Sequence, residues 1–210
     1  MSAIQSICKA WVDGYLAKTF MQSVIVPLIK DKTGNLSDIT NYRAIAVSTA
    51  FSKLFESVVE ASLISSSITD KYQFGFKPGH STGLCTGVFK NTVDYYRNRG
   101  SYVFTCFVDF SKAVNYWKLF KMLLDDNVDP RFVRWKSCLS AGFFMSNGTG
   151  QGGVLSPYFF SRYIRDLIAG IANSGVGCKL FGHFVNVLAY ADDIVLIAPS
   201  WKALQQLLNV

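Results

Sequence analysis

Residues 184–198 constrain this chain more than any other stretch. Two apolar runs, Phe184–Tyr190 and Ile194–Ala198, flank Ala191-Asp192-Asp193. Short apolar runs bounded by turn residues read as strands, and so brief a connection makes them a hairpin with two carboxylates at its tip. Upstream, Tyr102–Val108 is a near-continuous apolar run that ends on Asp109. Without polar alternation, such a run predicts a buried central strand. Carboxylates therefore stand at the ends of apolar strands in two places. Burying an unpaired carboxylate costs several kcal/mol, so these groups sit at strand ends, face water, or bind cations. Three clustered carboxylates repel one another unless a divalent ion neutralises them, and phosphoryl transfer uses such a cluster with Mg2+. An Asp-Asp turn is also an ordinary way to close a hairpin, because Asp favours turns. The strand ends alone leave both readings open.

Elements alternate in type along the rest of the chain, which argues for a mixed α/β or α+β fold. Ser23–Ile29 is short and β-branched and predicts a strand, with a polar loop over Lys30–Asn41. Ser48 or Thr49 is placed to cap a helix with Phe51, Leu54, Phe55, Val58, Val59 and Leu63 on one face. Tyr72–His80 reads as irregular around Gly75, Pro78 and Gly79. A second helical pattern sets Leu84, Val88, Phe89 and Val93 on one face. Trp117, Phe120, Leu123 and Leu124 fit a helix that stops near Asn127–Pro130. Ser156-Pro157 reads as cap and first position of a helix with Phe160, Tyr163, Ile164, Leu167, Ile168 and Ile171 as its buried stripe. Gly175 is its expected stop, and Ser200 is placed to cap a last short helix.

Half of the 210 residues are apolar and only 17% are charged, which argues against a disordered chain. Five cysteines without Cys-x-x-Cys spacing, beside two histidines, assemble no zinc site by pattern. Free thiols in a reducing compartment are the simplest account. Gln5, Lys9, Asp13 and Lys18 interrupt the first thirty residues, so no secretory pattern forms. No apolar run approaches the roughly 18–20 residues that cross a bilayer. The expectation is a soluble, intracellular protein of cytoplasm or nucleus with no membrane partner. A net charge of +7 permits a polyanionic partner without demanding one.

Ordered segments surround the strand-end carboxylates. Val26-Pro27-Leu28-Ile29-Lys30 is followed by Asn41-Tyr42-Arg43-Ala44-Ile45 and by Lys53-Leu54-Phe55-Glu56. Tyr72-Gln73-Phe74-Gly75-Phe76-Lys77-Pro78-Gly79-His80-Ser81-Thr82 comes next. Then follow Phe107-Val108-Asp109-Phe110-Ser111-Lys112-Ala113 and Gly150-Gln151-Gly152-Gly153-Val154-Leu155-Ser156-Pro157. Tyr190-Ala191-Asp192-Asp193 is last, with Asp192 lying 83 residues past Asp109 (192 − 109). The last three segments, in this order, resemble motifs A, B and C of reverse transcriptases, above all those of non-LTR retrotransposons of the long-interspersed-element type. The upstream segments are similar to the fingers motifs of that family, so the likeness runs from about Ser23 to Leu208.

The resemblance implies an α+β right-hand polymerase, fingers and palm, with an antiparallel palm sheet packed on helices. It implies a helical lead-in over 1–22, fingers and the fingers–palm region over 23–100, and a palm carrying the three motifs over 101–210. The implied activity is RNA-directed DNA polymerisation, a two-metal nucleotidyl transfer from a dNTP to a primer 3′-hydroxyl. Asp109, Asp192 and Asp193 match the catalytic metal ligands, with Mg2+ or Mn2+ as cofactor. Lys30, Arg43, Phe110, Gln151 and Gly152 match nucleotide-binding positions, and Phe76, Lys77 and Ser81 match positions near the template. The implied partners are an RNA or DNA template with its primer, and dNTP.

The sequence departs from the family pattern in several places. Where the family reads D-F-S-K-A-F-D-x-V-N-Y, three residues are missing after Ala113, including the aromatic that excludes ribonucleotides in the family. Gly150 stands where an Arg usually precedes the Gln, and Ala44 stands for a Pro. A second stretch is missing near Arg134, between Val133 and Trp135. The chain stops 17 residues past Asp193 (210 − 193), so the thumb is expected to be absent, and no endonuclease is expected before Ser23. These departures give a rival expectation, a catalytically dead retrotransposon remnant that at most binds nucleic acid weakly and without sequence preference.

Overall fold

The computed structural model describes residues 5, 9, 12–13, 23–64, 71–110, 114–134 and 152–210. In chain order its elements are β1 (Ser23–Ile29), β2 (Tyr42–Ser48), α1 (Ala50–Ile64), α2 (Thr82–Arg97), β3 (Phe104–Asp109), α3 (Tyr116–Asp125), α4 (Ser156–Ala172), β4 (Cys178–Leu180), β5 (His183–Val185), β6 (Val187–Tyr190), β7 (Asp193–Ala198) and α5 (Trp201–Leu208). Helices and antiparallel sheets together make an α+β fold. The chain divides into two compact units, Met1–Ser67 with Lys112–Phe159, and Ile68–Ser111 with Phe160–Val210. Most of the expected lead-in over 1–22 lies outside the described residues; Gln5, Lys9, Val12 and Asp13 are helical.

In the first unit, β1 and β2 form an antiparallel hairpin with Ser23 opposite Ser48 and Ile29 opposite Tyr42. Pro27 is tolerated in β1 because a two-stranded ribbon leaves an open edge, where a missing N–H removes no ladder bond. The connecting loop is stitched by its own side chains. Asp31 accepts from the Thr33 N–H at 2.8 Å, and Asn41 Nδ2 donates to the Asp31 carbonyl at 2.9 Å. Thr49, not Ser48, caps α1, its hydroxyl accepting from the Ser52 N–H at 3.2 Å. That helix buries Ser52, Phe55, Glu56, Val59 and Leu63, while Phe51, Leu54 and Val58 face solvent. The expected six-residue stripe was thus too wide and set on one flank.

Asn115 caps α3 by accepting from the Lys118 N–H at 3.2 Å. The helix after motif A therefore starts afresh at its own cap. It buries Leu119, Phe120, Met122 and Leu123, whereas Trp117 is 84% exposed. Trp117 and Leu124 are seven residues apart, nearly two turns, so they share one flank, and that flank is the wet one.

In the second unit the order of the main sheet is β3-β7-β6, antiparallel throughout. The central strand is β7, with Ile194, Leu196, Ile197 and Ala198 buried. β3 is an edge strand among the described residues, and Phe107 is 72% exposed. This corrects the expectation of a buried central strand there; an unbroken apolar run does not say on which side a neighbour lies. Phe74, Cys178, Leu188 and Ile197 form a core against which α2 packs Cys85, Val88, Phe89 and Tyr96. Leu84, expected on the same face, is exposed. Burial pushes the Cys178 thiol up to about 11, although the Tyr96 hydroxyl beside it acts the other way.

α4 begins at Ser156 itself, since the Leu155 carbonyl already accepts from the Phe159 N–H; the cap lies one residue earlier than expected. Phe160, Ile164, Ile168 and Ile171 are buried as expected, and Leu167 is not. The apolar run 184–190 is split into β5 and β6 by Asn186, whose Nδ2 donates to the carbonyls of Ile171 and Val176, each at 2.8 Å. β4 pairs with β5 in a short hairpin of its own. Ser200 caps α5 as expected, accepting from the Ala203 N–H. No helix among the described residues is long and apolar enough to cross a membrane.

Candidate active site

The three aspartates lie at one end of the main sheet, Asp109 and Asp193 at strand ends and Asp192 in the adjoining turn. Asp109 is the last residue of β3, Asp193 the first of β7, and the two are register partners. Across β7, Asp193 pairs with Tyr190 of β6. Directly opposed residues of an antiparallel pair share a face, with Cβ atoms roughly 4.5–5.5 Å apart. Asp109, Asp193 and Tyr190 thus form one cross-strand row. The next row inward on that face is Phe107, Val195 and Leu188. Apolar packing ends where the carboxylates begin, and both aspartates are exposed.

Ala191 and Asp192 make the two-residue turn between β6 and β7. Ala191 holds φ at +55°, a left-handed conformation that costs a non-glycine residue about 1–3 kcal/mol. The turn is clasped from elsewhere in the unit. Gln73 is buried, and its Oε1 accepts from the Ala191 N–H at 3.0 Å and the Gly75 N–H at 2.8 Å. Its Nε2 donates to the Ala191 carbonyl at 3.1 Å. The backbone on either side is tied to β6, with the Phe74 N–H on the Ala189 carbonyl at 2.7 Å and the Ala189 N–H on the Tyr72 carbonyl at 2.9 Å. A Cβ on Gly75 would come within 2.3 Å of the Ala191 nitrogen, so this approach requires glycine.

Among the described residues no set of three His, Cys, Asp or Glu side chains is gathered to hold a metal ion. Asp109 and Asp193 face each other, and Asp192 is exposed in the turn beside them. The donor chemistry still suits Mg2+. That ion takes hard oxygen ligands and is commonly held by one or two carboxylates together with substrate phosphates, not by an all-protein cage.

The other expected site residues are distributed as follows. Lys30 follows β1, and its Nζ donates to the Thr40 carbonyl at 2.7 Å. Arg43 lies on β2 opposite Leu28 and is exposed. Phe110 is half-buried, its ring edge-on to Phe160 at 6.5 Å between centroids. Phe76 is exposed with φ +63°, Lys77 is half-buried, and the Ser81 hydroxyl caps α2 by accepting from the Leu84 N–H at 3.2 Å. Gly152 has φ +105°, and a Cβ there would meet the Ala46 carbonyl oxygen at 2.6 Å, so the glycine loop lies against β2. Gln151 lies outside the described residues, as do Ser111–Ala113, where the first loss falls, and Trp135 beside the second.

Two residues in quoted motifs have contacts that the sequence reading assigned to neither. One is Gln73. The other is Glu56, 6% exposed on the buried face of α1, whose Oε2 accepts from the Val154 N–H at 2.8 Å just before α4. A signal for Glu56 was present, since a carboxylate beside Phe55 and three residues before Val59 falls on the apolar face.

A family profile described as reverse transcriptase (RNA-dependent DNA polymerase) matches residues 29–210. The chain is 25% identical over 207 residues to the RNA-directed DNA polymerase from mobile element jockey of Drosophila funebris, an alignment covering 89% of this chain and 22% of that protein. It is 27% identical over 184 residues to the probable RNA-directed DNA polymerase from transposon X-element of Drosophila melanogaster, covering 76% of this chain and 19% of that one. It is 26% identical over 190 residues to the probable RNA-directed DNA polymerase from transposon BS of the same fly, with the same shares. The chain spans about a fifth of the length of these relatives.

Proposed function

Because the chain belongs to the reverse transcriptase family, we propose that it carries the fingers and palm of a non-LTR mobile-element RNA-directed DNA polymerase. The substrates are a dNTP and a primer annealed to an RNA or DNA template. In this reading residues 23–100 belong to the fingers and fingers–palm region, and 101–210 to the palm. The observation that carries it is the apposition of Asp109 and Asp193 at one end of the main sheet. Two like charges directly opposed across strands are unfavourable by themselves. They are useful where a cation is bound between them.

Asp109, Asp192 and Asp193 are the groups that would hold Mg2+ or Mn2+. A divalent ion so bound would favour ionisation of the primer 3′-hydroxyl and neutralise charge on the departing pyrophosphate oxygen. The aspartates act as ligands and not as general bases. The remaining residues bind and orient. Lys30 and Arg43 supply cations for the triphosphate, with Arg suited to bidentate phosphate contact. Gly152 lets the motif B backbone approach its neighbours closely, and Phe110 and Gln151 complete the nucleotide-binding set. Phe76, Lys77 and Ser81 contribute to the template side.

Primer extension with Mg2+ or Mn2+ tests the reading, run beside Asp109→Ala and Asp192→Ala. The expected result is metal-dependent incorporation by the wild-type chain that both substitutions abolish. Equal incorporation by wild type and Asp192→Ala would overturn the metal assignment.

A further inference from the structure

We propose that Gln73 is a positioning residue for the Asp192-Asp193 turn, its carboxamide fixing both peptide groups of Ala191 and thereby the direction of the two carboxylates. The inference rests on the reading of these aspartates as metal ligands. Three observations converge on it. The first is the bonding pattern. Oε1 accepts from the Ala191 N–H at 3.0 Å and Nε2 donates to the Ala191 carbonyl at 3.1 Å, so one planar group grips the peptides on both sides of a single Cα. Those two peptides set φ and ψ of Ala191, the residue immediately before Asp192.

The second is the conformation held. Ala191 has φ +55°, which an alanine rarely adopts and which the clasp opposes from relaxing. The third is the anchorage of the clasp itself. Gln73 is 2% exposed, its Oε1 also accepts from the Gly75 N–H at 2.8 Å, and Tyr72 and Phe74 are bonded to Ala189. Gly75 is required for the approach, since a Cβ there would lie 2.3 Å from the Ala191 nitrogen.

The chemistry selects glutamine. A carboxamide carries an acceptor and a donor on one rigid plane, which is what an N–H and a C=O of the same residue need. Glutamate has the length and the acceptor but no donor when ionised. Leucine has the approximate shape and neither. The Ala191 φ then depends on a residue that is bonded to the turn and is not, in this reading, itself a metal ligand.

The test uses the full chain and MnCl2 alone as probe, with bound Mn2+ read by electron paramagnetic resonance. The variants are Gln73→Leu, Gln73→Met, Gly75→Ala and Asp192→Ala, each checked for its fold by circular dichroism. In wild type, Mn2+ binding is expected and Asp192→Ala is expected to lose it. Gln73→Leu and Gly75→Ala are expected to raise the half-saturating Mn2+ at least fivefold while keeping the fold. The Ala191 amide is expected to exchange at least tenfold faster in Gln73→Leu, by residue-resolved hydrogen exchange.

Wild-type Mn2+ affinity in folded Gln73→Leu, with Asp192→Ala still deficient, would overturn the positioning role and leave the metal reading intact. No difference between wild type and Asp192→Ala would overturn the metal reading and the role built on it. Unchanged Ala191 exchange would remove the hydrogen-bond basis. Should Gln73→Leu fail to fold, Gln73→Met decides, because it keeps the length, adds no charge and lacks the carboxamide acceptor and donor. Undiminished Mn2+ binding in that variant would again overturn the proposal.

Discussion

Glu56→Ala is a sharp probe of how the first unit holds the loop that leads into α4. Glu56 is 6% exposed, and its carboxylate accepts the Val154 N–H at 2.8 Å across 98 residues of sequence. A hydrogen bond to a charged group contributes about 1.5–3 kcal/mol net. Truncation to alanine removes it and leaves the Val154 donor without its acceptor. It also removes a methylene from the buried face, worth about 0.8 kcal/mol. The sum is a destabilisation of about 3 kcal/mol. Glu56→Gln keeps a carbonyl acceptor at the same reach but loses the charge, which roughly doubles such bonds. Its expected cost is about 1 kcal/mol. Urea unfolding of the three proteins measures both, as a midpoint shift at constant slope. Faster exchange of the Val154 amide should accompany the loss in Glu56→Ala. A cost below about 0.5 kcal/mol for Glu56→Ala would refute the assignment of this bond as an anchor. Equal costs for Ala and Gln would show that charge, and not acceptor geometry, is what the site uses.

Gly152→Ala should destabilise by at least about 1–3 kcal/mol in chemical denaturation, because φ is +105° and the new Cβ would meet the Ala46 carbonyl oxygen at 2.6 Å. Gly177→Ala should cost as much or more by the same assay, since φ is +120° and the Cβ would lie 2.2 Å from that of Asn186. The Cys178 thiol, raised by burial to about 11, binds its proton more tightly folded than unfolded. The folded chain then holds more protons than the unfolded one above pH ~9, so unfolding free energy should fall between pH ~9 and ~11, and Cys178→Ala should flatten that part of the profile. Asp109→Asn removes one of two opposed like charges. It should stabilise the metal-free chain by about 0.2–1 kcal/mol in urea while abolishing metal-dependent primer extension.

What the sequence carried well were features decided within a few residues. The β-branched run at Ser23–Ile29, the Ser200 cap and the strand on each side of Ala191-Asp192 are local, and all three are present. What it carried poorly depended on partners. Apolar residues at Phe51, Leu54, Val58 and Trp117 satisfy helical spacing, yet they face solvent because another flank of each helix meets the core. Amphipathic spacing gives the period of a stripe and leaves its phase to packing. β3 reads as central because it is apolar throughout, yet among the described residues it pairs with β7 alone, on one side. The same limit applies at the site. The aspartates were legible as strand ends in an ordered set of motifs. That Asp109 opposes Asp193 and not Asp192 is a matter of register, and a one-residue slip would turn the carboxylate to the other face. The contacts of Gln73 and Glu56 span 118 and 98 residues and have no local trace beyond a polar residue among apolar ones.

The arrangement of the hairpin tip follows from two costs that share one support. Ala191 stands at a φ that glycine would adopt freely, and Asp109 opposes Asp193 with like charge. A glycine at 191 would relieve the first cost and give the turn more than one way to point its carboxylates. Alanine narrows those choices, but only if something holds it in the unfavourable well. The buried carboxamide of Gln73 and the bare Cα of Gly75 are positioned to do that. In the proposed metal-binding reading the second cost would fall when a cation enters, and it would fall most if the carboxylates already face each other, because no reorganisation is then required on binding. In that reading strain in the turn and repulsion across the strands are two parts of one preorganised site, held by a segment that ends more than a hundred residues before it in sequence.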